Sequence, residues 1–385
     1  MVHISFDSAF TKLVDVNAEV KQLVTGCQFT EGPVWNPTES FLFFSDIPGD
    51  VRYSWDADIG LKEVQRPNHK GNGMTYDANL NLLVCEHETS RVVRFEPDGT
   101  ETIIADYFEG KQLNSPNDIV VHSDGSIWFT DPTYGRMEGF GIERSSELGF
   151  QGVYQLPPGA YEPKLMVNRT TFDQPNGITF SPCENYLYVN DTVQKNIRRF
   201  NISSSGLSQE RIIASGIYDP NMEGVPDGLK CDAEGNIWCT GPGGIWVYDP
   251  GGYLLGKISL PEICANFHWG GPDWKTLFCT ASNSVYTIPV KVGPRLEPFM
   301  TQGPLTDTYI DLTNVALIIQ DMQVDAVGAN GASADSGAPE HCKAQNCISN
   351  ISELAKRFRS KNLPVIHIHF VTDPGAPGIT TNAPL

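Results

Sequence analysis

The chain has 385 residues, 40% of them hydrophobic and 19% charged, with a formal net charge of −19. That balance provides for a sizeable core and argues against nucleic acid as a partner, because phosphate binding needs a basic footprint. No apolar run reaches membrane-spanning length, no basic-then-apolar leader opens the sequence, and the nine cysteines are scattered without paired zinc spacing, so a cytoplasmic protein that does not enter a membrane is expected.

The first 30 residues offer one strand candidate, residues 20–24. From Glu31 onward a single pattern recurs: a residue with a side-chain oxygen, a short apolar run, a turn, and a second apolar run. Glu31 precedes GPVW and FLFF, Asn72 precedes GMTY and NLLV, and Asn117 precedes DIVV and SIWF. Asn176 precedes GITF and YLYV, Asp227 precedes GLKC and NIWC, and Asn266 precedes FHW and KTLFC. Two such runs around a turn read as an antiparallel hairpin.

The phase is constant. From each lead residue to the matching apolar position (Phe44, Val84, Phe129, Val189, Cys239, Cys279) the step is 12 or 13 residues, and those positions lie 40, 45, 60, 50 and 40 apart. Self-similarity at this period, with hairpin-sized strands inside each unit, is the signature of propeller blades. An all-β six-bladed β-propeller over residues 1–300 is predicted. Blade two shows a full set of strands at residues 73–77, 80–85, 91–95 and 101–105, whereas the last repeat offers only three, ending near Ile288. Residues 20–24 are therefore expected to supply its outer strand and close the ring.

In a propeller the first strand of each blade lines the central channel, so six lead residues at one phase predict a ring of oxygens at one mouth. Asp46, Glu86, Asp131 and Asp191 fall two positions after the matching apolar residues and return to the same rim; Gly241 and Ala281 break that second series. For this second series, ending strands by bonding backbone groups is the preferred reading. Converging carboxylates and amides call for a positive charge. Hard oxygen donors favour Ca²⁺, with Mg²⁺ or Mn²⁺ next and Zn²⁺ still admissible. Asp98-Gly99 and Asp124-Gly125 are read as turns and Trp35, Trp128 and Trp238 as core; His69 and His87 could line the pocket, with a solvated loop histidine the preferred reading for each.

Several of these stretches resemble one family. EGPVW at Glu31, LLVCEHETSRVVRFEPDG, SPNDIVVHSDGSIWFTDPTYG, QPNGITFSP, PDGLKCDAEGNIW and GGPDWKTLFCTAS look like the gluconolactonase and senescence-marker-protein (regucalcin-like) propellers. The resemblance implies metal ligands at Glu31, Asn176 and Asp227, a substrate-facing amide at Asn117, and a proton-transferring role for Asp227. Ser115 stands where the animal members carry an Arg, and the DPTYG stretch at residues 131–135 looks more like the microbial gluconolactonases. The implied activity is hydrolysis of a small-molecule sugar lactone. A cation would polarise the carbonyl, Asp227 would act as general base, and Asn117 and Tyr134 would orient substrate hydroxyls. A non-catalytic calcium-binding propeller, a partner-binding module, and a propeller hydrolase acting on another ester are the alternatives.

Residues 301–314 read as a linker. Beyond it, residues 315–320 form a strand candidate ending before Asp321, Ile348, Ile351, Leu354 and Phe358 step as a helix face, and residues 365–370 form a second strand candidate. This partial β-α-β segment, residues 315–385, resembles the first half of an isochorismatase-like cysteine hydrolase, with Asp321 at the place of that family's catalytic Asp. The matching Lys and Cys would lie beyond Leu385, so no activity is expected of it. One helix cannot cover both faces of such a sheet, so the segment is expected to be loosely ordered or to need a partner.

Overall fold

A computed structural model describes residues 2–203, 206–301, 317–320, 347–360 and 363–368. The chain divides into two compact units, Met1–Pro304 and Leu305–Leu385. The first is a six-bladed propeller with at least four strands per blade, each sheet ordered from an inner strand outward.

Blade one is Thr30–Asn36, Phe41–Asp46, Val51–Asp56 and Gly60–Gln65, and blade two is Gly71–Tyr76, Leu82–Glu86, Arg91–Phe95 and Glu101–Ala105. The inner strands of blades three to six are Ile119–Val121, Pro175–Phe180, Leu229–Cys231 and Cys264–Gly270. The core lies between neighbouring sheets. Val120 and Trp128 of blade three, for example, pack with Ile178, Phe180 and Val189 of blade four. Trp35, Trp128 and Trp238 are core residues, and Gly99 and Gly125 take the left-handed turn conformation, as expected.

Closure follows the expected route. Lys21–Thr25 pairs antiparallel with Ser284–Pro289, with Gln22 opposite Tyr286, and completes blade six. Blade five carries a fifth strand that the sequence did not announce: Ile4–Ser5 pairs with Leu254–Ser259. Behind it a short helix, Phe10–Leu13, buries Phe10, Leu13 and Val14 among Ile245, Ile258 and Phe267. Two residues of strand and four of helix are too short for either hydrophobic period to register.

After blade six the chain turns back beneath the channel. Arg295 donates its backbone N–H to the Cys231 carbonyl of blade five at 2.9 Å. Four residues on, fully buried Phe299 packs at a tilt against Tyr76 in blade two, with ring centroids 5.5 Å apart. Both contacts fall at the ends of inner strands away from the lead residues, so this segment spans the channel floor.

In the second unit Leu317–Gln320 and Val365–Ile368 form a parallel pair, and Cys347–Ser360 is the helix between them in sequence. The helix forms where expected, but Ile348 and Leu354 of its predicted apolar face are 59% and 42% exposed. Asp321, Cys342 and His369 lie outside the described residues, as does most of the segment on which the expectation of loose order falls.

Candidate active site

The six lead residues sit where inner strands are irregular. In blades one, two, four and six the ladder slips between Glu31 and Val34, Gly71 and Met74, Pro175 and Ile178, and Cys264 and Asn266. In blades three and five the strand starts two residues after Asn117 and Asp227. Such bulges re-aim a side chain that a regular ladder would fix in the sheet. Five of the six lead residues line one cavity as a result.

Close contacts between neighbouring blades hold the ring. The residue after the lead is glycine in blades one, two, four and five, and each faces the next blade's lead residue. A Cβ at Gly32 would lie 1.9 Å from the Asn72 carbonyl oxygen. One at Gly73 would lie 2.3 Å from that of Asn117, one at Gly177 2.3 Å from that of Asp227, and one at Gly228 2.3 Å from Asn266 Oδ1. Hydrogen bonds follow the same circuit. The Gly73 N–H donates to the Asn117 carbonyl (2.8 Å), Thr130 Oγ1 to that of Asn176 (2.7 Å), and Asn190 Nδ2 to that of Asp227 (2.7 Å).

The acids of the second series mostly bind backbone, as preferred above. Asp131 accepts from the N–H groups of Asn114 and Ser115, Asp46 from those of Gln28 and Phe29, and Asp191 from those of Asp173 and Gln174. Glu86 instead accepts from Thr89 and from Arg91 Nε. These carboxylates tie down the segments that lead into the mouth.

Glu31, Asn72, Asn117, Asn176 and Asp227 line one cavity of about 170 Å³ with Tyr134, Thr192 and His87, beneath an apolar rim of Phe29, Ile47, Met137, Phe140 and Val225. The sixth lead residue, Asn266, reaches it indirectly through a hydrogen bond to Glu31. A larger groove of about 680 Å³ beside Met222, Lys257 and Glu262 contains none of the lead residues.

Burial, then the charges of Asp227 and Asp118, push the Glu31 carboxyl well above the usual range, against hydrogen bonds from Gly32 N–H and Asn266. Burial and the Asp118 charge raise Asp227 to about 7, and Asn176 and Lys230 pull it back. The hydroxyl of Thr192 donates to the Pro226 carbonyl (2.6 Å) and accepts from Asn176 Nδ2 (3.1 Å). That leaves the buried Tyr134 hydroxyl beside it without a partner in hydrogen-bonding geometry. Burial lifts this phenol to about 12, so it remains a donor.

One participant was not found by sequence reasoning, and a second was weighed but not preferred. Asp118 occupies the position that is glycine in four other repeats, which was the available signal; it is buried and forms an ion pair with the partly buried Lys230 at 3.2 Å. His87 corrects an expectation: it is 1% exposed and lines the cavity, because the blade-three segment after Asp131 folds over it. His69 stays partly exposed beside Glu88, 3.4 Å away. Ser115 does not face the cavity. Its hydroxyl donates to the Pro132 carbonyl and accepts from Gly135 N–H at 3.0 Å, anchoring the DPTYG segment in the space a longer side chain would need.

The donor set suits a hard cation: two buried carboxylates with raised pKa values, amide oxygens, and Lys230 already paired with Asp118. Among the described residues no group of three or more His, Cys, Asp or Glu is arranged to hold a metal. An ion here would therefore draw on amide oxygens and water as well as on Glu31 and Asp227.

Fold and cavity together define a closed six-bladed propeller that presents buried carboxylates and amides to a small ligand at one channel mouth. The chain belongs to the SMP-30/Gluconolactonase/LRE-like family, whose model matches residues 29–283; an isochorismatase domain model matches residues 315–383. It is 29% identical to a gluconolactonase of Zymomonas mobilis over 312 residues, 74% of this chain and 85% of the relative. A gluconolactonase structure from Xanthomonas campestris superposes with a TM-score of 0.70 at 32% identity, covering 75% of this chain and 95% of that one. The calcium-binding protein regucalcin of Agrobacterium tumefaciens shares the fold at 19% identity, with a TM-score of 0.61, over 73% of this chain and 97% of that one. Among the described residues no helix is long and apolar enough to cross a membrane.

Proposed function

We propose that this lactone hydrolase opens a sugar lactone at the channel mouth, with Asp227 as general base and Glu31, Asn176 and Asp227 as the residues that hold a divalent cation. The convergence of these groups with Asn117 and Tyr134 on one cavity of about 170 Å³ is the observation that carries the reading. Lewis-acid polarisation of the lactone carbonyl is the chemistry such a cation supplies when bound, Ca²⁺ fitting the hard oxygen donors best.

The chain's own groups do the rest. The ionised Asp227 carboxylate takes a proton from the attacking water as its oxygen bonds to the carbonyl carbon, and returns that proton to the ring oxygen as the ester C–O bond breaks. The product is the open-chain hydroxy acid. Without a cation the buried Asp227 carboxyl is raised to about 7; a cation beside it would favour the ionised form, the form that can take a proton from water. Asn117 and the unpartnered Tyr134 hydroxyl orient the substrate's oxygens, and the apolar rim limits competing water.

Acid release from an aldonolactone, measured with and without chelator and in Asp227→Ala, tests this. Loss of turnover in both is expected; full turnover in both ends the proposal.

A further inference from the structure

His87 and Asn72 come from different parts of blade two and meet in the cavity wall with Asn72 Nδ2 3.0 Å from His87 Nε2. The other ring nitrogen, Nδ1, lies 3.0 Å from the Phe140 carbonyl oxygen. A carbonyl only accepts, so Nδ1 carries the hydrogen. Burial lowers the ring's pKa to about 4, so at neutral pH the imidazole is uncharged and Nε2 bears a lone pair. Whatever faces Nε2 must then donate, which fixes the Asn72 amide with its nitrogen toward His87 and its oxygen turned away. That oxygen has no protein partner among the described residues, and it is not among the atoms sealed from solvent.

His87 is held from several sides by the long blade-three segment between Ile127–Asp131 and Gly152–Leu156. Phe140 accepts from its ring, and Arg144 Nη2 donates to its backbone carbonyl at 3.3 Å. Gly135 packs so close that a Cβ there would lie 2.5 Å from that of His87. The same segment contributes Tyr134, Met137 and Phe140 to the cavity.

The geometry points to Asn72 as a specificity-determining residue whose Oδ1 accepts a hydrogen bond from one hydroxyl of the lactone, and to His87 as the positioning residue that aims it. The inference rests on the lactone reading above for the identity of the ligand. A lone acceptor at this wall recognises a hydroxyl and rejects a deoxy carbon, which leaves the oxygen unpaired, or a methyl ether, which offers no proton.

The test uses the full chain and a panel of one aldonolactone and its monodeoxy analogues. On the parent lactone Asn72→Ala and His87→Ala are expected to raise KM about tenfold, with kcat changed less than about threefold. For one analogue the KM penalty of Asn72→Ala should vanish or reverse, because the hydroxyl that Asn72 reads is missing and only wild type is left with an unpaired oxygen. His87→Asn, which keeps a donor for the Phe140 carbonyl but removes the Nε2 acceptor, should show the same KM increase and covers the case in which His87→Ala fails to fold. Independently of turnover, ¹⁵N shifts of the His87 ring at pH 7 should show Nδ1 protonated and Nε2 bare. Wild-type turnover of the parent with Asn72→Ala indistinguishable from wild type on every analogue overturns this inference alone, as does the opposite ring tautomer. Absence of wild-type turnover on any aldonolactone overturns the lactone reading first and this inference with it.

Discussion

Lys230 Nζ lies 3.2 Å from Asp118 Oδ2, an ion pair between residues 112 apart in sequence in which Asp118 is buried and Lys230 partly buried, and both charges act on Asp227. Lys230 lowers the Asp227 pKa while Asp118 raises it. Breaking a fully buried pair costs about 3–5 kcal/mol, and the partial exposure of Lys230 puts this one at the low end, about 3 kcal/mol. Lys230→Met is therefore expected to lower stability by that order and to move the acid limb of the kcat/KM profile upward, because an unpaired Asp118 raises Asp227 further. Asp118→Asn should move the limb downward, and the double variant should recover most of the lost stability. Denaturant titrations and pH profiles of the three variants check this. Additive losses in the double variant would contradict the pairing.

The pH dependence of stability follows from the same cluster. Asp227 is raised from its ordinary 3.8 to about 7, and Glu31 is raised as well. A carboxyl whose folded pKa exceeds its unfolded value gives stability that is fully present below the unfolded pKa and is lost as pH rises through the folded one. Chelated protein is accordingly expected to lose Tm between about pH 4 and pH 7 on this account. Asp227→Asn should remove part of that slope. Added Ca²⁺ should raise Tm more at pH 8 than at pH 5, since protons and cation compete for the same oxygens. Equal Ca²⁺ shifts at both pH values would show that these carboxylates do not hold the ion.

How far these features were legible depends on whether they repeat. Six lead residues in one phase, each followed by two strand-sized runs, were enough to place the blades, the strand at residues 20–24 and the mouth that gathers Glu31, Asn117, Asn176 and Asp227. What broke the repeat was harder to read. Asp118 reads as the start of an apolar run, although four of the other five repeats hold glycine at its position. His87 follows a strand end and has no counterpart elsewhere. Its burial comes from a segment more than 40 residues further on, a tertiary contact with no local pattern. Ile4–Ser5 and Phe10–Leu13 were too short for either period, although the strand extends the blade-five sheet through its backbone and the helix adds Phe10 and Leu13 to the core of blades five and six.

That N-terminal contribution has a measurable size. Phe10 is fully buried against Gly256, where an added Cβ would lie 2.5 Å from its ring. Phe10→Ala is expected to cost about 3–5 kcal/mol from lost transfer energy plus the cavity left behind. The ring of lead residues is elsewhere, so kcat at a temperature well below the transition should stay within about twofold of wild type. Urea unfolding with turnover measured on the same preparations separates the two effects. A large loss of kcat in folded protein would mean that blade five's outer edge reaches the mouth.

The glycines beside the lead residues allow a graded test of the ring itself. Gly32 has φ near +60° and would place a Cβ 1.9 Å from the Asn72 carbonyl oxygen, a clash with backbone that no rotamer relieves. Gly99 has φ near +85° but nothing within 4 Å of a Cβ. Both substitutions to Ala pay the left-handed conformational cost of about 1 kcal/mol, and only Gly32→Ala must also push two blades apart. Gly99→Ala is expected to lose roughly that 1 kcal/mol and keep full activity. Gly32→Ala should lose at least about 3 kcal/mol. In whatever fraction still folds, it should weaken cation binding as well, because Glu31 is adjacent and its carboxylate accepts from the Gly32 N–H. Calorimetric Ca²⁺ titration of the two variants against wild type decides the matter. Gly32→Ala binding Ca²⁺ as wild type does would detach the close approach of the blades from the geometry of the mouth.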